Sequence, residues 1–241
     1  KNTLLEGTKN CDYICHTAAQ AAMTISWEDP ELDFSTNTLG TFNVLECARI
    51  HDLPIAICSS IHTYGPDRIN SQLNELKTRY TREPITINEQ EPILQGVITP
   101  LHASKRSNEI YAQAYIDTYK IKAACFRLTG IYGENQDIGL ETGSVIPVFC
   151  RRAVEYPKNK PFIIWGTGKE TRSYCFIDDA IDCIKRMVIK LDSESHVGPL
   201  NVGKEERNSI IELAEKIIHI SGKGIDIEFD DTKKTLDRKS V

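Results

Sequence analysis

Long hydrophobic runs are absent from this chain of 241 residues. None approaches the roughly 20 consecutive apolar residues that a membrane-spanning helix needs, so a membrane partner is not expected. Excess positive charge is absent too. The 29 Lys and Arg against 34 Asp and Glu leave a net charge of −5, which argues against nucleic acid held by bulk charge, although a few local arginines would still serve an anionic ligand. Cys-x-x-Cys pairs are missing despite eight cysteines, so no zinc or other metal site is expected. Several cysteines sit in apolar runs, where a reduced thiol packs as a small core residue, as in a cytoplasmic protein.

A fourth absence concerns glycine. A doubly wound nucleotide-binding sheet normally opens with a strand, a Gly-x-x-Gly-x-x-Gly loop and a helix, and no such stretch occurs here.

What is present reads as an α/β protein. Hydrophobic residues make up 40% and charged residues 26%, an ordinary globular balance. Asp12–His16, Pro54–Ser60 and Lys122–Leu128 are short apolar runs of the kind buried in parallel sheets. The first runs into small residues, Thr17-Ala18-Ala19-Gln20-Ala21-Ala22, which let a ligand approach the backbone closely. Asp29-Pro30 opens a helix reaching about Ile50, with Phe34, Leu39, Phe42, Leu45 and Ala48 on its apolar face. Asp67–Ile98 is polar and irregular, and a loop of that length is usually functional. Pro100 suits a first helical position, and Ile110, Ala114 and Tyr115 continue the helical spacing. In the last third, Ser144–Ala153 and Ser209–Ser221 read as helices and Pro161–Trp165 and Pro199–Gly203 as strands, with Asp178 as the cap of a helix over Ala180–Ile189.

Thr99-Pro100-Leu101-His102-Ala103-Ser104-Lys105-Arg106-Ser107-Asn108-Glu109 resembles the catalytic segment Ser/Thr-Pro-Tyr-x-x-Ser-Lys-x-x-x-Glu of the extended short-chain dehydrogenase/reductase (NAD-dependent epimerase/dehydratase) family, with Leu101 in place of the tyrosine. The resemblance continues in His16-Thr17-Ala18-Ala19, Asn37-Thr38-Leu39-Gly40-Thr41, Ser59-Ser60-Ile61-His62-Thr63-Tyr64-Gly65 and Trp165-Gly166-Thr167-Gly168 followed by Arg172 and Asp178-Asp179. Asn74-Glu75, then Thr78-Arg79-Tyr80, resembles an insertion of the CDP-tyvelose (CDP-paratose) 2-epimerases.

The resemblance implies a Rossmann-like doubly wound parallel sheet, partial over residues 1–135 because its first strands are missing, and a smaller, mostly substrate-binding α/β region over 136–241, truncated at its end. It implies an NAD-dependent nucleotide-sugar epimerase of the CDP-tyvelose 2-epimerase type, which oxidises a sugar transiently to a ketone and returns the hydride. A UDP-glucose 4-epimerase or a related 3,5-epimerase stands as the alternative, and a catalytically silent nucleotide-sugar or NAD-binding homologue as another. The cofactor NAD would lie against Ala18, Ala19, Gln20, Asn37, Ser59 and Lys105. Ser60 and Lys105 would be catalytic, with His102, His62 or Tyr64 as the substitute base. Arg172 and Arg238 would hold the substrate diphosphate, for which a planar guanidinium is suited. Ser60-Ile61-His62 offers no acid-base carboxylates where the dehydratases carry them, which argues against water elimination. A homodimer is implied, through the helices around Asn37 and Lys105.

Overall fold

A computed structural model describes residues 2–84, 86–93, 99–140, 143–158 and 161–232. Along the chain, α1 is Asn2–Thr8, β1 Ile14–His16, α2 Met23–Glu28, α3 Pro30–Asp33, a π-helical segment Phe34–Leu39, α4 Gly40–His51, β2 Ile55–Ser60, and a 3-10 turn Ile61–Thr63. Then come α5 Pro66–Ser71, β3 Asn74–Glu75, β4 Tyr80–Thr81, α6 Pro100–Tyr119, β5 Ala123–Leu128 and β6 Gly130–Tyr132. The last elements are α7 Val145–Glu155, β7 Phe162–Trp165, β8 Thr171–Phe176, α8 Ile177–Lys190, β9 His196–Val202, β10 Arg207–Ser209, α9 Ile210–Ser221 and β11 Ile227–Asp230.

Two compact units result. The first takes in 1–67, 88–129 and 179–202. Its sheet runs β1-β2-β5-β9 with every pair parallel. Parallel strands must be joined by crossovers, and their carboxyl ends therefore point one way, toward the edge where ligands bind in such sheets. The apolar strand residues Ile55, Ile57 and Ala123 pack under α4 and α6 through Leu45, Ala48, Ala112 and Tyr115. Burying an Ile or Leu side chain fully contributes about 1.5–3 kcal/mol. β5 shifts register against β9 between Ala124 and Phe126. There Gly198 adopts φ 97°, and a Cβ on it would meet the Cys125 carbonyl oxygen at 2.5 Å, so only glycine fits.

The helix expected from Asp29 to Ile50 is present but not uniform, because its middle is π-helical over Phe34–Leu39. Helix α4 ends where Asp52 takes the left-handed conformation, and α6 ends the same way at Lys120.

The second unit takes in 68–87, 130–178 and 203–241. It holds a three-stranded sheet, β10-β8-β6, and a two-stranded one, β11-β7. Its core joins Val148, Phe149 and Ala153 of α7 to Phe162, Ile164, Leu213 and Ala214. Helix α9 starts with a capping box between Ser209 and Glu212. The stretch read as irregular carries short elements: β3 and β4 pair antiparallel, and the Tyr80 amide donates to the Lys169 carbonyl. Asp178 is not a helix cap. Helix α8 already begins at Ile177, so Asp178 lies in its first turn, where a carboxylate still faces the positive end of the helix.

Candidate active site

Helix α6 carries the core of the site. Thr99 caps it, and the His102 side chain folds back to complete the cap. His102 Nδ1 lies 2.7 Å from Thr99 Oγ1 and 3.3 Å from the Thr99 amide, which donates to it. An Nδ1 that accepts leaves the neutral ring's proton on Nε2, so in this arrangement His102 presents a donor. Leu101, at the tyrosine position, is 1% exposed.

Lys105 follows one turn later on the same helix, 6% exposed, and its ammonium has no hydrogen-bond partner among the described residues. Burial lowers its pKa, while nearby Cys58 and Asp33 act the other way. Burial, with the Lys105 charge adding to it, likewise depresses the His16 imidazole.

Ser60 ends β2, and its hydroxyl oxygen accepts from the His62 amide at 3.2 Å, capping the 3-10 turn. Among the described residues its own proton meets no acceptor. The half-buried His62 ring meets the His102 ring edge to face, with centroids 5.2 Å apart.

Ala18 and Ala19 are exposed in the loop after β1. Asn37 clamps the next peptide: its Oδ1 accepts from the Gln20 amide and its Nδ2 donates to the Gln20 carbonyl, both at 2.9 Å. The same Nδ2 reaches Asp33 at 3.0 Å and Ser104 Oγ at 3.2 Å. Asn108, with its amide oriented to satisfy its neighbours, donates to the Ser104 and Asn37 carbonyls and accepts from Thr41. Thr41 Oγ1 in turn lies 2.9 Å from His16 Nε2. Asn37 lies within the π-helical segment, a departure from α geometry of the kind found at functional sites. Gln20 Oε1 is buried without a hydrogen-bond partner among the described residues.

Ser59 points elsewhere. Its hydroxyl donates to Glu109 Oε1 at 2.6 Å. Glu109 also takes the Arg127 guanidinium, with Nη2 2.7 Å from Oε2. Arg127 donates to the Tyr64 hydroxyl at 2.9 Å, and Tyr64 donates to Asn201 Oδ1 at 2.6 Å. Burial pushes the Tyr64 phenol up, with Arg127 opposing. Tyr64 is thus engaged both as donor and as acceptor. Sequence reasoning missed Arg127, Arg106 and Asp33 as parts of the site's frame. A signal for Arg127 existed, since a charge inside an apolar strand has to be paired.

In the second unit, Arg172 sits on β8 in register with Asn208 of β10, and its Nη1 donates to the Thr171 carbonyl at 3.0 Å. Tyr174, two residues along the same strand face, has a buried hydroxyl with no hydrogen-bond partner among the described residues, and desolvation pushes its phenol up to about 12. Its ring packs on Gly130, where a Cβ would come within 2.9 Å of Tyr174 Cδ1. That close approach leaves no room for a side chain at position 130. Arg238 lies outside the described residues.

Residues 2–203 match the profile of the NAD dependent epimerase/dehydratase family. Among curated proteins, the CDP-paratose 2-epimerase of Salmonella typhi is 33% identical over 174 residues, covering 70% of this chain and 51% of its own. The UDP-glucose 4-epimerase of Mycolicibacterium smegmatis is 27% identical over 175 residues, covering 73% of this chain and 50% of its own. The chain spans about half the length of these two relatives. Among solved structures, the UDP-N-acetylglucosamine 4-epimerase of Methanobrevibacter ruminantium M1 superposes with a TM-score of 0.81 at 21% identity, covering 98% of this chain and 69% of that one.

Proposed function

The chain belongs to the NAD dependent epimerase/dehydratase family, and from that premise we propose that it works as a nucleotide-sugar epimerase of the CDP-tyvelose 2-epimerase type. The observation that carries the reading is Lys105, a nearly buried ammonium with no hydrogen-bond partner among the described residues. It stands on a helix packed against a parallel sheet. A buried cation whose hydrogen bonds are unmade is costly unless a ligand completes its shell.

Lys105 and Gln20 Oε1, which has no hydrogen-bond partner among the described residues, fit hydroxyl and amide groups such as those at the nicotinamide and ribose end of NAD. NAD, when bound, supplies the acceptor and later the donor of a hydride. Ala18 and Ala19 leave room beside the backbone, and the Asn37 clamp holds the Gln20 peptide in place. Ser60 offers its hydroxyl proton to the sugar oxygen. His62 takes the proton from the reacting hydroxyl as general base. His102 is less suited, because its Nδ1 is committed to the cap, and so is Tyr64, whose hydroxyl is engaged with Asn201 and Arg127. Ser59 is a structural partner of Glu109 in this reading. Arg172 binds the substrate diphosphate with its planar fork, with Arg238 as a second guanidinium.

Exposed Phe34, Leu39, Ile110 and Tyr111 support a homodimer through these helices, and eight free cysteines support a reducing, cytoplasmic setting. Among the described residues no helix is long and apolar enough to cross a membrane.

A second reading, a silent nucleotide-sugar or NAD-binding protein, is favoured by one observation, the buried Leu101. The test is absorbance of reduced nicotinamide when NAD and CDP- or UDP-sugars are added to the intact protein. A rise that His62→Gln abolishes supports the epimerase. No rise with any sugar, and a rise with Leu101→Tyr, establishes the silent reading.

A further inference from the structure

Arg106 follows Lys105 on α6 and is 3% exposed. Its Nε donates to the Thr63 carbonyl at 2.8 Å and its Nη2 to the Tyr64 carbonyl at 3.3 Å. These two carbonyls leave the end of the 3-10 turn that carries His62. The other end of that turn is held by Ser60 Oγ on the His62 amide. A single 3-10 turn is too short to keep its own geometry, so these two clamps and the edge contact with His102 help to fix the placement of His62.

Burial makes Arg106 an expensive residue, and desolvation works against its charge. An apolar side chain of similar volume would fill the space at lower cost. What only a guanidinium provides is a rigid planar fork that fixes two successive carbonyls at once.

The need for such a tie follows from Leu101. In the pattern with tyrosine, base and lysine share one helix, and the helix sets their spacing. With leucine at that place, a base at His62 lies on a different element from Lys105. We infer that Arg106 is a positioning residue that rivets the His62 turn to α6 and so restores a fixed geometry between the histidine and the lysine-bearing helix. The inference rests on His62 being the base, but the tie itself is testable without turnover.

The experiment compares wild type, Arg106→Met and Arg106→Lys in the intact protein. The ring-proton resonances of His62 are assigned by their loss in His62→Gln, and they carry the ring-current shift of His102. Arg106→Met is expected to move them toward the values of a free imidazole. It is also expected to lower kcat by about a hundredfold, as ångström-scale misplacement does, with KM unchanged. Arg106→Lys, whose ammonium reaches one carbonyl, is expected to fall between. Folded Arg106→Met with unmoved His62 resonances and unchanged kcat overturns the inference. If Arg106→Met does not fold, Arg106→Gln, which keeps one donor, takes its place, and unmoved resonances there overturn it equally. If wild type turns over no nucleotide sugar, the epimerase reading fails, and the resonances alone decide whether Arg106 positions His62.

Discussion

Lys105 lies one helical turn beyond Leu101 on α6, both side chains nearly out of water, and only Lys105 can carry a proton. Replacing Leu101 by tyrosine puts a phenol four residues before the ammonium. The rate of nicotinamide reduction with a matching sugar is expected to rise about a hundredfold, within the range of positioned general bases. The added volume in a packed position is expected to cost about 1–3 kcal/mol of stability. Rapid-mixing absorbance and urea unfolding measure the two effects. A folded variant that reduces NAD no faster would place the base function away from position 101.

His62 and His102 touch but have different duties, and their variants are expected to separate them. His62→Gln should slow hydride transfer by roughly two orders of magnitude, the low end for loss of a general base, with little change in melting. His102→Gln should cost about 0.5–2 kcal/mol, as the loss of a helix cap does, with a smaller effect on rate. Single-turnover kinetics set beside thermal melts read both. The opposite pattern would reassign the base to His102.

Stability is expected to fall below neutral pH through His16. Burial, then the Lys105 ammonium, holds its folded pKa below the ordinary 6.5. The unfolded chain therefore takes up a proton at a pH where the folded chain does not. Stability is complete above 6.5 and is lost as pH falls from there toward the lowered folded value, below which the loss stops growing. Lys105→Met should bring the His16 midpoint back toward 6.5. Urea unfolding across this range and imidazole resonances of both proteins check it; an unmoved His16 midpoint would remove Lys105 as a cause.

Glu109→Gln should destabilise the protein by about 3–5 kcal/mol, because it strips a buried guanidinium of its counter-charge. Replacing both partners, Glu109→Leu with Arg127→Met, should cost less than that single change. Ser59→Ala should cost about 1–3 kcal/mol and leave NAD affinity unchanged. Denaturant midpoints and NAD titration give the readings. A fall in NAD affinity in Ser59→Ala would return Ser59 to the cofactor site.

The sequence by itself determined the elements and the class of fold. Apolar runs such as Pro54–Ser60 and Lys122–Leu128 encode buried parallel strands, and the spacing after Pro100 encodes a helix with one inner face. These are local periodicities, set by which side of an element meets water. The motif around Lys105 was equally legible, since it depends on residue types at fixed spacing. The tertiary structure decided where polar atoms point. Ser59 and Ser60 are neighbours at one strand end, yet strand alternation turns Ser59 toward Glu109, 50 residues away. Asn37 was legible as a family residue, but the peptide it clamps, that of Gln20, lies 17 residues distant. Gly130 answers to the ring of Tyr174. Hydrogen-bond direction is fixed by the partner that folding brings alongside, and the identity of that partner is not written in the residues next to the donor.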